Sequence, residues 1–600
     1  MDSATLLALV PLLFMAGVIA VIVYGIVALT RRRSEAPDLD PGIGTVRRLY
    51  FYIVSFAALT MATTGVVLLG VAVLDAIFGG AAVSGSSEGV ALGIALTVVG
   101  LPLWWFHWRT VTRYVATMPA ERRSVFRKAY IYLVLLTSIG FVIGTGVAIV
   151  RFLFGGTEFA AFPWAAFVVW EAVWFFHMRL EDAEGQPTPE TLAVRRLYLY
   201  IVAAGTLAAA ATGTALVIHT ILRDAYDAVT GLRVVGGGFW NDSFKTYLAI
   251  ALVNWPAWAD HWLHRARGDY DSTLRQVYLY LLAILGGLLT VIIAVGVTVY
   301  GLLEWVVGVP ELPAADHFRF LSGTVASVIV GAGILVYHAM VATTEARDHP
   351  QPTQSARQSY AYLLAAIGLF TLATGIMNLT GMFIRLVTES GDGVITGADA
   401  WRDALDLALT LGIIGGPLWG FYWRRARLKA EAVGPAERNS QPRRMFIFLV
   451  LGAGMLAFLG SVSFFLFVIL REVLEGTPSQ ILEGAQGALS LLAPVAIFLP
   501  YYWMVYREDR RLAPEETEVA ERPARKQVSV LVAEGGGPFV AALEAALGYG
   551  VTTLRWADAD AGLAEGGADA GAVAERVAAA AGERVLVIAR GDRVDVVSYR

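Results

Sequence analysis

Apolar runs long enough to cross about 30 Å of hydrocarbon recur along most of the 600-residue chain, separated by short basic or mixed segments. The first, Leu6–Leu29, runs directly into Arg31, Arg32 and Arg33. No basic segment precedes it and no small-residue cleavage site follows, so the pattern predicts a retained membrane helix rather than a secretory signal. Beyond it, polar punctuation returns at regular intervals. RRLYFY (47–52) comes back as RKAYIY (127–132), RRLYLY (195–200), RQVYLY (275–280), RQSYAY (357–362) and RRMFIF (443–448). Copies stand about 70–85 residues apart, room for two membrane helices each.

A second motif closes each copy. His107 aligns with His177, His261, His338, Tyr422 and Tyr506, and three residues earlier stand Trp104, Trp174, Trp258, Leu335, Trp419 and Trp503. Copies one, three and five keep the fullest form, as PLWWFHW, PAWADHW and PLWGFYW, whereas the even copies lack that proline and the last tryptophan. Gly65, Gly146, Gly213 and Gly375 each follow a threonine at mid-helix, where a small residue lets membrane helices approach closely. The expected fold is therefore an all-α polytopic membrane protein of about thirteen transmembrane helices: one N-terminal helix, then six two-helix repeats grouped as three odd/even pairs.

The boundaries that follow are an N-terminal anchor at 1–34, repeats at 45–113, 125–181, 193–267, 273–347, 355–429 and 441–511, and a linker at 512–527. Residues 528–600 read as β-α-β-α-β-β, a small cytoplasmic α/β domain. The segments on one side of the predicted membrane hold 29 Lys and Arg, against eight on the other. That bias predicts the N-terminus outside and the C-terminus in the cytoplasm.

Composition sharpens this picture. Hydrophobic residues make up 57% of the chain and charged residues 16%, well below the roughly 25% of soluble domains. The formal net charge of −4 argues against a nucleic-acid partner, leaving the lipid bilayer, with other membrane subunits or a cytoplasmic protein at the C-terminal domain as further candidates. With no cysteine, thiolate metal sites and covalently attached haem are excluded.

Three sets of residues are candidates for chemistry or anchoring. Both motifs fall at one membrane face, so Arg47, Arg48, Tyr50, Tyr52, Trp104, Trp174, Arg195, Arg196, Tyr198, Trp258, Trp419 and Trp503 are expected as interfacial anchors. His107, His177, His261 and His338 lie at matching depth, as two facing pairs of histidine ligands to a haem or chlorin would. Glu171, Asp260 and Asn254 are the intramembrane polar groups that could line an ion or proton path. Asp403 and Asp406 stand in a first helical turn, where water and the helix dipole favour ordinary aspartates. No metal site and no catalytic constellation is evident, so no cofactor and no enzyme activity is expected.

The combination RRLYxY with PLWxxHWR resembles an uncharacterised bacterial membrane-domain family, a domain of unknown function built from two-helix units. The resemblance spans roughly residues 45–510 and implies a fold but no catalytic residues. The expected function is a non-enzymatic membrane protein of tandem hairpins, acting as a complex scaffold or subunit or handling a small solute or lipid. A haem- or chlorin-binding electron carrier and a membrane sensor signalling through the C-terminal domain are the alternatives.

Overall fold

The computed structural model describes residues 43–78, 87–118, 121–122, 124–184, 188–233, 237–270, 272–308, 310–348, 350–389, 400–512, 526–533, 536–555, 569–582, 584–590 and 593–599. The predicted helix at Leu6–Leu29 and most of the 512–527 linker lie outside these residues.

Apolar runs with breakers only at their ends fold as long helices, because helical bonding satisfies every backbone group within the segment. In chain order they are α1 (Ile43–Phe78), α2 (Ser87–Thr117), α3 (Val125–Leu153), α4 (Ala161–Ala183) and α5 (Pro189–Thr230). Next come α6 (Asp242–Ala259), extended by a π-helical turn at Asp260–Arg265, and α7 (Thr273–Val306), which carries a second π-helical stretch at Val277–Ile284. The last five are α8 (Leu321–Asp348), α9 (Pro350–Glu389), α10 (Ala400–Val433), α11 (Gln441–Glu475) and α12 (Gln486–Leu512). Their ends are chemically marked. On α5, for example, the N-cap Thr188 and Thr191 form a capping box that spans Pro189, and Gly231, at φ 77°, ends the helix in the left-handed region.

Eleven helices among the described residues are long and apolar enough to cross a membrane, a pattern consistent with a multi-pass helical membrane protein. The expected thirteen is not reached, for two reasons. The N-terminal helix is not described. The other exception, α6, falls short in composition, since its eighteen residues include Asp242, Lys245, Asn254 and Pro256. It nonetheless packs against α5 as the second helix of its hairpin.

Consecutive helices pair as hairpins, and the glycines show how closely. A Cβ on Gly213 would stand 2.8 Å from the Ala251 nitrogen, and one on Gly375 3.0 Å from the Ala408 oxygen. Gly65 meets Thr97 and Gly93 in the same way. Gly146, from an even copy, instead touches Val253 of the next hairpin at an ordinary 3.4 Å, and the fourth hairpin uses Gly287 against Gly331. Within each odd/even pair the first helix also packs on the fourth: α1 on α4, and α5 on α8. In the third pair, Gln486 of α12 donates to the Gly381 carbonyl of α9. The same four-helix arrangement thus occurs three times.

The C-terminal domain is a four-stranded sheet, β1 (Gln527–Val532), β2 (Thr552–Arg555), β3 (Arg584–Arg590) and β4 (Arg593–Ser598), in the order β2-β1-β3-β4. The first three strands are parallel and β4 pairs antiparallel with β3. Helices α13 (Gly537–Leu547) and α14 (Ala570–Ala579) supply Leu543, Val573 and Val577 to a core with Val530, Val585 and Val587.

Filling a close approach in the membrane body should overpack it by about 1–3 kcal/mol. Gly213→Leu is expected to lower the thermal unfolding midpoint in detergent, whereas Gly140→Leu, with no atom within 4 Å of its Cβ, is expected to leave it unchanged.

Candidate functional site

Residues two apart on an α-helix leave it about 200° apart, on nearly opposite faces. The two aromatics of each R-x-x-[YF]-x-[YF] motif therefore point away from each other, and the structure uses both directions. The second aromatic of each copy packs on the first aromatic of the next. Ring centroids are 5.6 Å apart for Tyr52–Tyr130, 5.4 Å for Tyr132–Tyr198, 5.9 Å for Tyr200–Tyr278, 6.0 Å for Tyr280–Tyr360 and 5.7 Å for Tyr362–Phe446. This aromatic ladder links all six hairpins in sequence order.

The W-x-x-H motif meets the same tyrosines. Trp104 donates its indole N–H to the Tyr130 hydroxyl (3.4 Å), Trp174 to Tyr198 (3.4 Å) and Trp258 to Tyr278 (2.8 Å), each reaching the following hairpin. Those tyrosines in turn face the histidines of their own hairpins: Tyr130 to His177 Nε2 (3.4 Å), Tyr198 to His261 (2.9 Å) and Tyr278 to His338 (3.3 Å). Every motif histidine also binds, through Nδ1, the carbonyl four residues back: Leu103, Val173, Ala257 and Ile334. A carbonyl only accepts, so the proton sits on Nδ1 and Nε2 accepts from tyrosine. Tryptophan to tyrosine to histidine to backbone is thus a closed chain in which each donor meets an acceptor. It occurs three times.

The third pair reaches the same end differently. Phe446 has no hydroxyl, and the Trp419 N–H instead donates to Tyr502 of α12 at 2.8 Å. Tyr502 is buried against Phe446, ring centroids 5.5 Å apart. The hydroxyl has moved to the facing helix.

The odd/even difference also has a cause. The final tryptophan of each odd copy lies beneath the leading arginine of the next even copy: Trp108 under Arg127 (5.4 Å), Trp262 under Arg275 (4.4 Å) and Trp423 under Arg443 (5.4 Å). The even copies carry Met178, Ala339 and Arg507 at the matching position, and at the junction of the first two pairs a different stack occurs, Arg265 over Trp174 at 5.6 Å.

Ion pairs close individual hairpins. Arg48 meets Glu121 (2.8 Å), Arg127 meets Glu184 (2.5 Å), Arg196 meets Asp269 (2.5 Å) and Arg275 meets Glu345 (2.5 Å). Arg127 and Arg275 are buried, and carboxylates within hydrogen-bond reach offset the cost of burying them. Sequence reasoning singled out the arginines and missed these acids. The available signal is an acidic residue after each second helix, at the level of the basic start of the first.

Other candidates are placed as follows. His107, His177, His261 and His338 are all buried, each on its own hairpin, and in His177, His261 and His338 both ring nitrogens are engaged, one by backbone and one by tyrosine, which leaves none for an iron. They do not fit a facing-pair haem or chlorin site. No cluster of three or more metal-ligating side chains occurs among the described residues. Asp260 pairs with Arg265 at 2.6 Å, Asn254 is buried and donates to the Ile250 carbonyl, and Glu171 is half-buried on α4. No hydrogen bond or ion pair among the described residues joins these three.

The expected anchors differ in exposure and partners. Tyr50 and Trp503 are exposed, but Tyr52, Tyr198 and Trp258 are buried between helices. Arg47 and Arg48 turn to Glu121, and Arg195 donates to the Arg265 carbonyl. Trp104 and Trp174 bind tyrosines, as above, and the exposed aromatics are the next residues along, Trp105 and Phe175, capped by Arg109 (5.0 Å) and Arg179 (4.9 Å). One residue is about 100° of helix, enough to exchange inward for outward.

A family model described as a domain of unknown function, DUF5671, matches residues 48–172, 196–333 and 358–496. These matches cover more than half of the chain, which belongs to this family. Each match spans one odd/even pair, so the family's unit is the four-helix arrangement held by the tryptophan–arginine stack. No curated protein and no solved structure matches the chain.

Removing the central hydroxyl of a closed chain leaves a buried indole N–H and an imidazole nitrogen unpaired, at a cost of about 1–3 kcal/mol. Tyr198→Phe is expected to lower stability by that amount, and so is Tyr502→Phe, where the hydroxyl has changed helices. Urea unfolding in mild detergent measures both.

Proposed function

We propose that this DUF5671 member is a non-enzymatic membrane scaffold: three four-helix units forming a helical body that holds or organises other components of a membrane complex. One observation carries the reading. The residues that would serve chemistry if free, the motif histidines, tyrosines, tryptophans and arginines, are engaged with one another across helix and hairpin boundaries. Their bonds are those of assembly, since in lipid, packing and interhelical hydrogen bonds replace the hydrophobic drive between helices. Apolar side chains such as Val98, Val99, Phe106, Val168 and Phe370 remain exposed along the helices, where lipid or partner helices would cover them.

The charge bias supports an orientation with the N-terminus outside a bacterial plasma membrane and the C-terminal domain in the cytoplasm. In this reading that domain is the docking surface for a cytoplasmic partner. The half-buried Glu171, unpaired among the described residues, supports a second role in handling a small solute, because such a carboxyl at bilayer depth usually faces water or a ligand.

The test begins with protein purified from its native membrane in mild detergent. A scaffold is expected to migrate with other subunits and to be colourless. A His177→Gln, His261→Gln double variant should lose thermal stability without spectral change. A Soret band that the double variant abolishes would overturn the scaffold in favour of an electron carrier.

A further inference from the structure

The buried polar groups that the helix-end chains leave unused concentrate near the start of α10. Asp406 was expected to be a water-exposed helix-start aspartate, but it is 0% exposed, and neither of its carboxylate oxygens has a hydrogen-bond partner. One turn further on the same helix face, Thr410 is 6% exposed and its hydroxyl is also unpartnered. That is unusual in this protein. Thr371, Thr374 and Thr380 on the neighbouring α9 each donate to the carbonyl four residues back, the ordinary arrangement for a helical threonine. Thr410 does not use its own such carbonyl, that of Asp406, and its oxygen is left for another partner.

The surroundings set the sign of that partner. Arg402 and Asp403 both stand one turn before Asp406, but the Arg402 guanidinium lies over Trp401 (5.4 Å) and gives Asp406 no hydrogen bond, while the acidic Asp403 and Glu304 of α7 act on it electrostatically. Tyr300 of α7 feels all three carboxyls. The chain just past the end of α7 comes close at Gly308, where a Cβ would stand 2.9 Å from Asp406 Oδ2. A buried carboxylate with two bare oxygens and acidic neighbours is costly unless a positive charge joins it. Oxygen donors alone, carboxylate and hydroxyl, suit a hard cation. Among the described residues no three acidic groups converge as a divalent ion would require, and the site matches a single charge.

We propose that Asp406 and Thr410 bind a small monovalent cation of the sodium type, drawn in by Asp403 and Glu304, at the junction of the fourth and fifth hairpins. Asp406 and Thr410 contact the ion, while Asp403 and Glu304 act through their field. The bound cation neutralises Asp406 and ties α10 to α7, so occupancy stabilises the folded body.

The test is thermal unfolding of the full-length protein in detergent, with sodium chloride exchanged for choline chloride at constant ionic strength. The expected result is a saturable rise in midpoint with sodium that choline does not give. Asp406→Asn and Thr410→Val should abolish that rise, and Asp403→Asn should shift it to severalfold higher sodium. Identical midpoints in the two salts, or a sodium response surviving Asp406→Asn, would overturn the site. A midpoint that responds to acid and not to sodium would also overturn it, by assigning a proton instead. The salt comparison uses the unsubstituted protein, so it decides the matter even if a variant fails to fold.

Discussion

The angle of about 200° between side chains two apart on a helix is the constraint on which this membrane body depends. It lets one helix start hold a neighbour on each side, with Tyr130 meeting Tyr52 behind it and Tyr132 meeting Tyr198 ahead. A single aromatic could join only one neighbour. Because all six hairpins repeat the spacing, the chain forms an ordered row rather than a set of interchangeable helices. The polar partners then fix the row's geometry. Tryptophan, tyrosine and histidine form chains that leave no donor without an acceptor, which matters most where little or no water reaches.

A second level of order separates neighbours within a pair from neighbours between pairs. The leading arginine of a hairpin lies over the final tryptophan of the hairpin before it where an odd hairpin meets the following even one, in all three pairs. Inside the pair, first and fourth helices pack as well, giving a unit with more internal contact than a hairpin alone. That unit coincides with each family match, residues 48–172, 196–333 and 358–496. The physical module and the evolutionary one are therefore the same, and this chain carries three.

Much of this was legible in the sequence, because repetition exposes constraint. The R-x-x-Y-x-Y starts, the W-x-x-H ends and the odd/even alternation all stood out, and each now has a partner in space. What could not be read was direction. Alignment identifies Trp104 as a recurrent residue but not whether it faces lipid or protein, and the outward residue proved to be Trp105. Glu121, Glu184, Asp269 and Glu345 vary in identity and spacing, since a flexible arginine reaches them from several positions. Hydropathy also misjudged depth. Asp406, placed in a wet first turn, is enclosed because a neighbouring hairpin closes over it, and no local pattern encodes that neighbour.

The central claim is that motif residues on successive hairpins hold each other across the junction. A double-mutant cycle on Trp258 and Tyr278, using Trp258→Phe and Tyr278→Phe with unfolding free energies in detergent, tests it most directly. Side chains that bond across the junction should show a favourable coupling of about 0.5–3 kcal/mol. Strictly additive losses would mean that the two residues act independently, and would contradict the account.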